Sequence, residues 1–98
     1  MEEKLSIAVF RILQESLTNI IRHAKATRVS VRFKLLKNKL ELVVKDNGIG
    51  IDEDNLKNNS SFGVTGMKER IYPWGGTVEF KGVKGKGTTV RVNVNPVK

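Results

Sequence analysis

Between Leu5 and Lys25 the chain has neither glycine nor proline, and just beyond it the hydrophobic period changes from helical to strand-like. That change constrains the fold more than any other feature, because a segment patterned for one period cannot bury its apolar residues in the other. Leu13, Leu17, Ile20 and Ala24 recur at steps of four, three and four, which predicts one buried stripe on a long helix. Glu15, Asn19, Arg22 and His23 follow the same spacing and are expected roughly on the opposite side, where a solvated face is the default explanation. A carboxylate, a carboxamide, a cation and an imidazole within about two turns is unusual for a merely solvated face.

Strict alternation follows Ala26-Thr27. Val29, Val31, Phe33 and Leu35 point one way, and Ser30, Arg32 and Lys34 the other. Lys37-Asn38-Lys39 is expected to turn into a second, antiparallel strand with Leu40, Leu42 and Val44, ending at Asp46. Asp46-Asn47-Gly48-Ile49-Gly50-Ile51 then offers one fixed carboxylate and two glycines, past which a ligand can approach the backbone closely. Asp-Asn-Gly is also an ordinary turn signal. From Asp52 to Ser61 the chain is polar apart from Leu56 and is expected to form a mobile loop. A short helix over Met67 to Tyr72, stopped by Pro73, precedes two more strands, Thr77 to Lys81 and Thr88 to Asn95. Helix, two strands, loop, helix, two strands predicts an α+β fold: a two-layer α/β sandwich with helices on one face of a mainly antiparallel, mixed sheet.

The 98 residues suit one small domain, read here as residues 1–98. The absence of cysteine excludes disulfides and thiolate-bound metals and is compatible with a reducing cytosol. No apolar run is long enough to span a membrane. The net charge of +8 favours polyanionic partners, but the cations are scattered and six aromatics offer little for base stacking. Gly82 to Thr88 is not a P-loop, since Gly85-Lys86 is followed by Gly87 and the segment joins two strands. Neither glycine cluster has the dinucleotide-binding spacing, and Asp52-Glu53-Asp54 lacks the ligand pattern of an EF-hand. His23, the single histidine, has no recognisable nucleophile or metal-ligand cluster around it.

Four motifs occur in a fixed order: Glu15-x-x-x-Asn19 on a helix, Asp46-x-Gly48-x-Gly50 after a strand, Gly63-x-x-Gly66 before a helix, and Gly85-x-Gly87-Thr88 before the last strand. With these motifs the chain resembles the ATP-binding catalytic domain of two-component sensor histidine kinases, in the superfamily shared with gyrase, Hsp90 and MutL. It is most similar to the subfamily of nitrate/nitrite and cell-envelope-stress sensors, through the phrases Phe10-Arg11-Ile12-Leu13-Gln14-Glu15-Ser16-Leu17-Thr18-Asn19 and Gly63-Val64-Thr65-Gly66-Met67-Lys68-Glu69-Arg70.

The resemblance implies a Bergerat-type fold and a pocket for ATP with Mg2+. Asn19 matches the Mg2+ ligand, and a neutral amide oxygen suits a hard ion shared with phosphates. Arg22 and His23 match phosphate contacts. Asp46 matches the carboxylate that accepts the adenine amino group, with Gly48 and Gly50 admitting the base and Ile51 lining its pocket. Gly63 and Gly66 match the lid hinge, where a helix start offers N–H donors, and Met67 falls in the same ATP-binding phrase. Thr88 matches the hydroxyl that supports Asp46, usually through a water. Glu15 stands where many histidine kinases have Asn and the ATP-hydrolysing relatives have a general base, so it is a candidate base here.

A strand that usually precedes the first helix is not found, nor is the helical dimerisation domain that bears the phosphoacceptor histidine. The chain is therefore expected to be an excised domain whose open sheet edge favours non-native association. Its expected partners are ATP, that histidine-bearing dimerisation domain and, indirectly, a response regulator, with no nucleic acid and no membrane contact. Its expected place is the cytoplasm, in parents that are commonly membrane-anchored. Two other functions fit parts of the pattern: a stand-alone ATPase or anti-sigma-factor serine kinase of the same superfamily, and a small basic nucleic-acid-binding domain whose glycines are only turns.

Overall fold

The computed structural model describes residues 3–51 and 63–95. The loop expected from Asp52 to Ser61 lies outside the described residues. Helix α1 (Glu3–Asn19) begins with an acidic residue in its first turn, where the helix dipole favours negative charge. It passes directly into a π-helical turn, Ile20–Ala24, which ends at Lys25 in the left-handed region (φ 51°). The glycine-free segment is thus one continuous coil, with a widened last turn that its sequence did not signal.

The buried line on α1 differs from the expected stripe. Leu5, Val9, Ile12, Ser16 and Asn19 are buried; of the expected stripe Ala24 is buried too, whereas Leu13, Leu17 and Ile20 are partly exposed and pack on the flank of the core. The reason lies in where the helix ends. Its last turns pass over the Asp46 end of the sheet, so the line facing the sheet there carries Ser16 and Asn19 in place of leucine.

Strands β1 (Val29–Leu36), β2 (Lys39–Asp46), β3 (Thr77–Val83) and β4 (Gly87–Val94) form one sheet in the order β1-β2-β4-β3, and every described pairing is antiparallel. Helix α2 (Val64–Ile71) starts one turn earlier than expected, then tightens into a 3-10 turn at Tyr72–Trp74 that contains Pro73. Both helices cover the same face of the sheet. Leu42 pairs with Val92, and Val44 with Val90; these four side chains lie under the helices in the main core.

Residues opposite them on β1 fare differently. Val31, Phe33 and Leu35 pair with Val44, Leu42 and Leu40, yet each remains more than 40% exposed because the helical layer stops short of the edge strand. β1 is therefore an open edge within the described sheet, as the sequence anticipated. On the outer face, Glu41 reaches Arg32 and Arg91 at 3.8 and 4.0 Å. Val43 lies between those arginines in the ladder and is buried, with their stems to either side. Among the described residues, no helix is long and apolar enough to cross a membrane.

Candidate functional site

Asp46 closes β2 at a point where the alternation turns its side chain to the helix-covered face, and it is 4% exposed. A buried carboxylate needs donors. The backbone N–H of Gly48 donates to Asp46 Oδ1 at 2.7 Å, which fixes the orientation of the second oxygen. Beside it on β4, Thr88 is also buried, and its Oγ1 accepts the N–H of Ile51 at 3.0 Å. Thr88 therefore anchors the loop leaving Asp46 by a direct hydrogen bond to that loop's backbone.

A cavity of about 20 Å3 lies between the end of α1 and the sheet, lined by Ser16, Asn19, Asp46, Ile51, Phe80 and Thr88 among others. That volume suits a single water, and four of these side chains are polar. Ser16 is the surprise. It lies one helical turn before Asn19, and its Oγ donates to the Ile12 carbonyl at 2.8 Å, so its polar atom is satisfied within the helix. Phe80 was not anticipated either. It points inward on β3 and packs with Ile51 and Val64 in a small second apolar cluster. Its alternation with Val78 was a usable signal, but no motif contains it.

The motif residues fall into three groups. Asn19, Asp46, Ile51 and Thr88 meet around the cavity. Arg22 and His23 sit in the π-turn directly after Asn19, with Arg22 exposed and His23 half-buried. Gly63, Gly66 and Glu15 form the third group at the start of α2. Gly63 caps that helix at φ 65°, and a Cβ built on it would lie 2.5 Å from Glu15 Oε1. The Glu15 carboxylate is thus set against a helix N-terminus, which favours an anion. Met67 does not line the cavity. It is fully buried in the main core, where it seats α2 on the sheet.

The glycines after Asp46 have a packing role that the sequence concealed. A Cβ at Gly48 would lie 2.0 Å from the Ala24 carbonyl oxygen, and that oxygen accepts the N–H of Ile49 at 2.8 Å. A Cβ at Gly50, whose φ is +75°, would lie 2.0 Å from the Val83 carbonyl oxygen. The loop is pressed between the π-turn and the β3–β4 turn.

For a metal, the donor set is lean. No group of three His, Cys, Asp or Glu side chains able to hold one occurs among the described residues. A single buried carboxamide, Asn19, fits an Mg2+ whose other ligands are phosphate oxygens and water, and would not hold such an ion alone.

Comparison with known proteins bears directly on this geometry. The family model described as histidine kinase-, DNA gyrase B-, and HSP90-like ATPase matches residues 4–98. Sensor histidine kinase LiaS of Bacillus subtilis (strain 168) is 45% identical over 86 residues, covering 88% of this chain and 24% of the relative. The signal transduction histidine-protein kinase/phosphatase DegS of Brevibacillus brevis is 40% identical over 92 residues, covering 94% of this chain and 24% of that protein. The histidine kinase domain of the Erythrobacter litoralis EL346 blue-light activated histidine kinase superposes with a TM-score of 0.77 at 24% identity, over 96% of this chain and 45% of that one, which establishes the likeness of fold. The chain thus spans about a quarter of the length of these curated relatives.

Proposed function

The chain belongs to the histidine kinase-, DNA gyrase B- and HSP90-like ATPase family, and from that premise we propose that it binds ATP with Mg2+ as the catalytic domain of a sensor histidine kinase. In that role it presents the γ-phosphoryl group to a histidine on a separate dimerisation domain, and a response regulator receives the group afterwards. The bond from γ-phosphorus to the bridging oxygen of ADP breaks as a bond forms to an imidazole nitrogen of the acceptor. In a membrane-anchored parent the domain would lie on the cytoplasmic side, with its nucleotide.

The observation that carries this proposal is the buried Asp46 carboxylate, oriented by the Gly48 N–H and facing a cavity it shares with Asn19. A carboxylate so placed accepts a hydrogen bond from the exocyclic amino group of adenine and repels the carbonyl of guanine. Ile51 and Phe80 supply apolar surface beside that carboxylate; the cavity as it stands has room for one water, so the base enters only as these walls part. Asn19 offers its amide oxygen to the metal, which when bound neutralises phosphate charge. Arg22 and His23, one helical turn onward, offer donors to the phosphates. The protein's contribution to transfer is then mainly positioning and charge neutralisation. Glu15 is the candidate base, drawing a proton from water or from the acceptor.

Titration with a fluorescent ATP analogue and Mg2+ tests the pocket. Asp46→Asn is expected to weaken binding by tenfold or more, on the order of the cost of one charge-assisted hydrogen bond. No binding by the native chain, or binding indifferent to the change, would overturn the assignment. ATP turnover of Glu15→Gln tests the second role: unchanged turnover with intact binding removes Glu15 from the chemistry.

A further inference from the structure

Asn47 belongs to the Asp46 motif but faces away from the cavity, and it makes more side-chain hydrogen bonds than the proposed chemistry requires. Its Oδ1 accepts the backbone N–H groups of Thr27 and Arg28, both at 2.9 Å. Its Nδ2 donates to Thr27 Oγ1 at 2.9 Å, and its own backbone N–H donates to the Arg28 carbonyl at 3.2 Å. Thr27 and Arg28 belong to the short segment joining the π-turn to β1. Asn47 therefore grips the chain just beyond Arg22 and His23, while its sequence neighbour Asp46 faces the nucleotide. The Ala24 carbonyl reinforces this tie through Ile49, with Gly48 pressed against it.

A nucleoside triphosphate is read at two ends, and its covalent length fixes their separation. Base contacts at Asp46 and phosphate contacts at Asn19 and Arg22 multiply in affinity only if the protein holds them at the matching distance. The two groups come from different elements, the β2 end and the α1 end, which two backbone hydrogen bonds, Asn47 to Arg28 and Ile49 to Ala24, already bring together. Asn47 is the side chain that joins their backbones.

We propose that Asn47 is a positioning residue that locks the base-reading wall to the phosphate-reading wall, so that ATP is bound as one unit. The proposal rests on the ATP-binding assignment made above. Asn47 itself touches neither base nor phosphate. Because it is exposed, its contribution comes through these hydrogen bonds and not through burial in the core. A side chain that only stabilised the turn would support all ligands equally.

The test compares dissociation constants for Mg-ATP and for adenosine, the latter by competition with the fluorescent analogue, alongside thermal melts. Adenosine engages only the base wall. In Asn47→Ala the preference for Mg-ATP over adenosine is expected to fall about tenfold, within the usual range for coupled sites. In Asn47→Asp most of it should return, because a carboxylate keeps both backbone contacts and the Thr27 hydroxyl can turn to donate. If the alanine variant does not fold, Asn47→Ser, with its shorter reach, is measured in its place. Equal weakening of both ligands overturns the proposal, as does an aspartate variant no better than alanine. Failure of the native chain to bind Mg-ATP would instead overturn the assignment of function beneath it.

Discussion

Two sets of glycines frame the site, and they are glycine for different reasons. Around the base wall, Gly48, Gly50 and Gly87 each face backbone: the nearest atom to a built Cβ is a carbonyl oxygen at 2.0, 2.0 and 1.9 Å. At the start of α2, Gly63 and Gly66 face side-chain ends instead, with Glu15 Oε1 at 2.5 Å and Arg70 Nη1 at 3.2 Å. Backbone cannot yield without moving an element, whereas a side-chain end can rotate away. The loop after Asp46 is built shut, while the helix start keeps some play. A motif read as access for a ligand is, on the base side, first a demand of chain packing.

Substitution at each set should break or confirm that contrast. The largest effect is expected at Gly87, where alanine meets the Asp46 carbonyl and must also adopt φ +129°. Gly87→Ala should cost about 3 kcal/mol or more in urea unfolding, since steric displacement and left-handed strain add. Gly48→Ala, with ordinary φ but an equally close carbonyl, should cost about 2 kcal/mol and weaken ATP binding as well. A variant of either that unfolds like the native chain would end the distinction.

Gly63→Ala should cost about 1 kcal/mol for its left-handed φ plus a smaller contribution from Glu15. Adding Glu15→Ala should recover only the smaller part, a separation that a double-mutant cycle reads directly. Gly66→Ala should change sign. The residue lies inside α2, and alanine there should stabilise the apo chain by up to about 1 kcal/mol. If phosphates approach this helix start, the same variant should bind Mg-ATP more weakly. A higher melting temperature with lower affinity would mark Gly66 as a glycine kept for ligand.

Much of this was legible from the residues. Alternation in Leu40, Leu42 and Val44 against Val90, Val92 and Val94 predicted the paired inward faces, because side-chain direction in a strand is a local property. That Asp46 ends a strand came the same way; that a pocket lies there was implied by the glycines after it and by the family resemblance. Helix α1 was less readable. Its apolar stripe was assigned to Leu13, Leu17, Ile20 and Ala24; Ala24 is buried as expected, but Ser16 and Asn19 are more deeply buried than the other three. Apolar periodicity reports what a helix could bury, not which neighbour it lies over, and here that neighbour is itself polar. Phe80 and Ser16 belong to no motif and became visible only when β3 and α1 were brought to the same cavity.

The sequence by itself determined the order of helices and strands, the ordered motifs and hence the family, because periodicity and motif order are written along the chain. Only the tertiary structure decided which faces are covered. β1 carries the same alternation as β2, yet Phe33 is 47% exposed and its partner Leu42 2%, since the helical layer ends between them. It likewise decided that Asn47 grips Thr27 and Arg28, residues about twenty positions away, and that Gly48 rests on Ala24. Such contacts depend on distances between segments that the folded backbone sets, and the order of residues alone does not contain them.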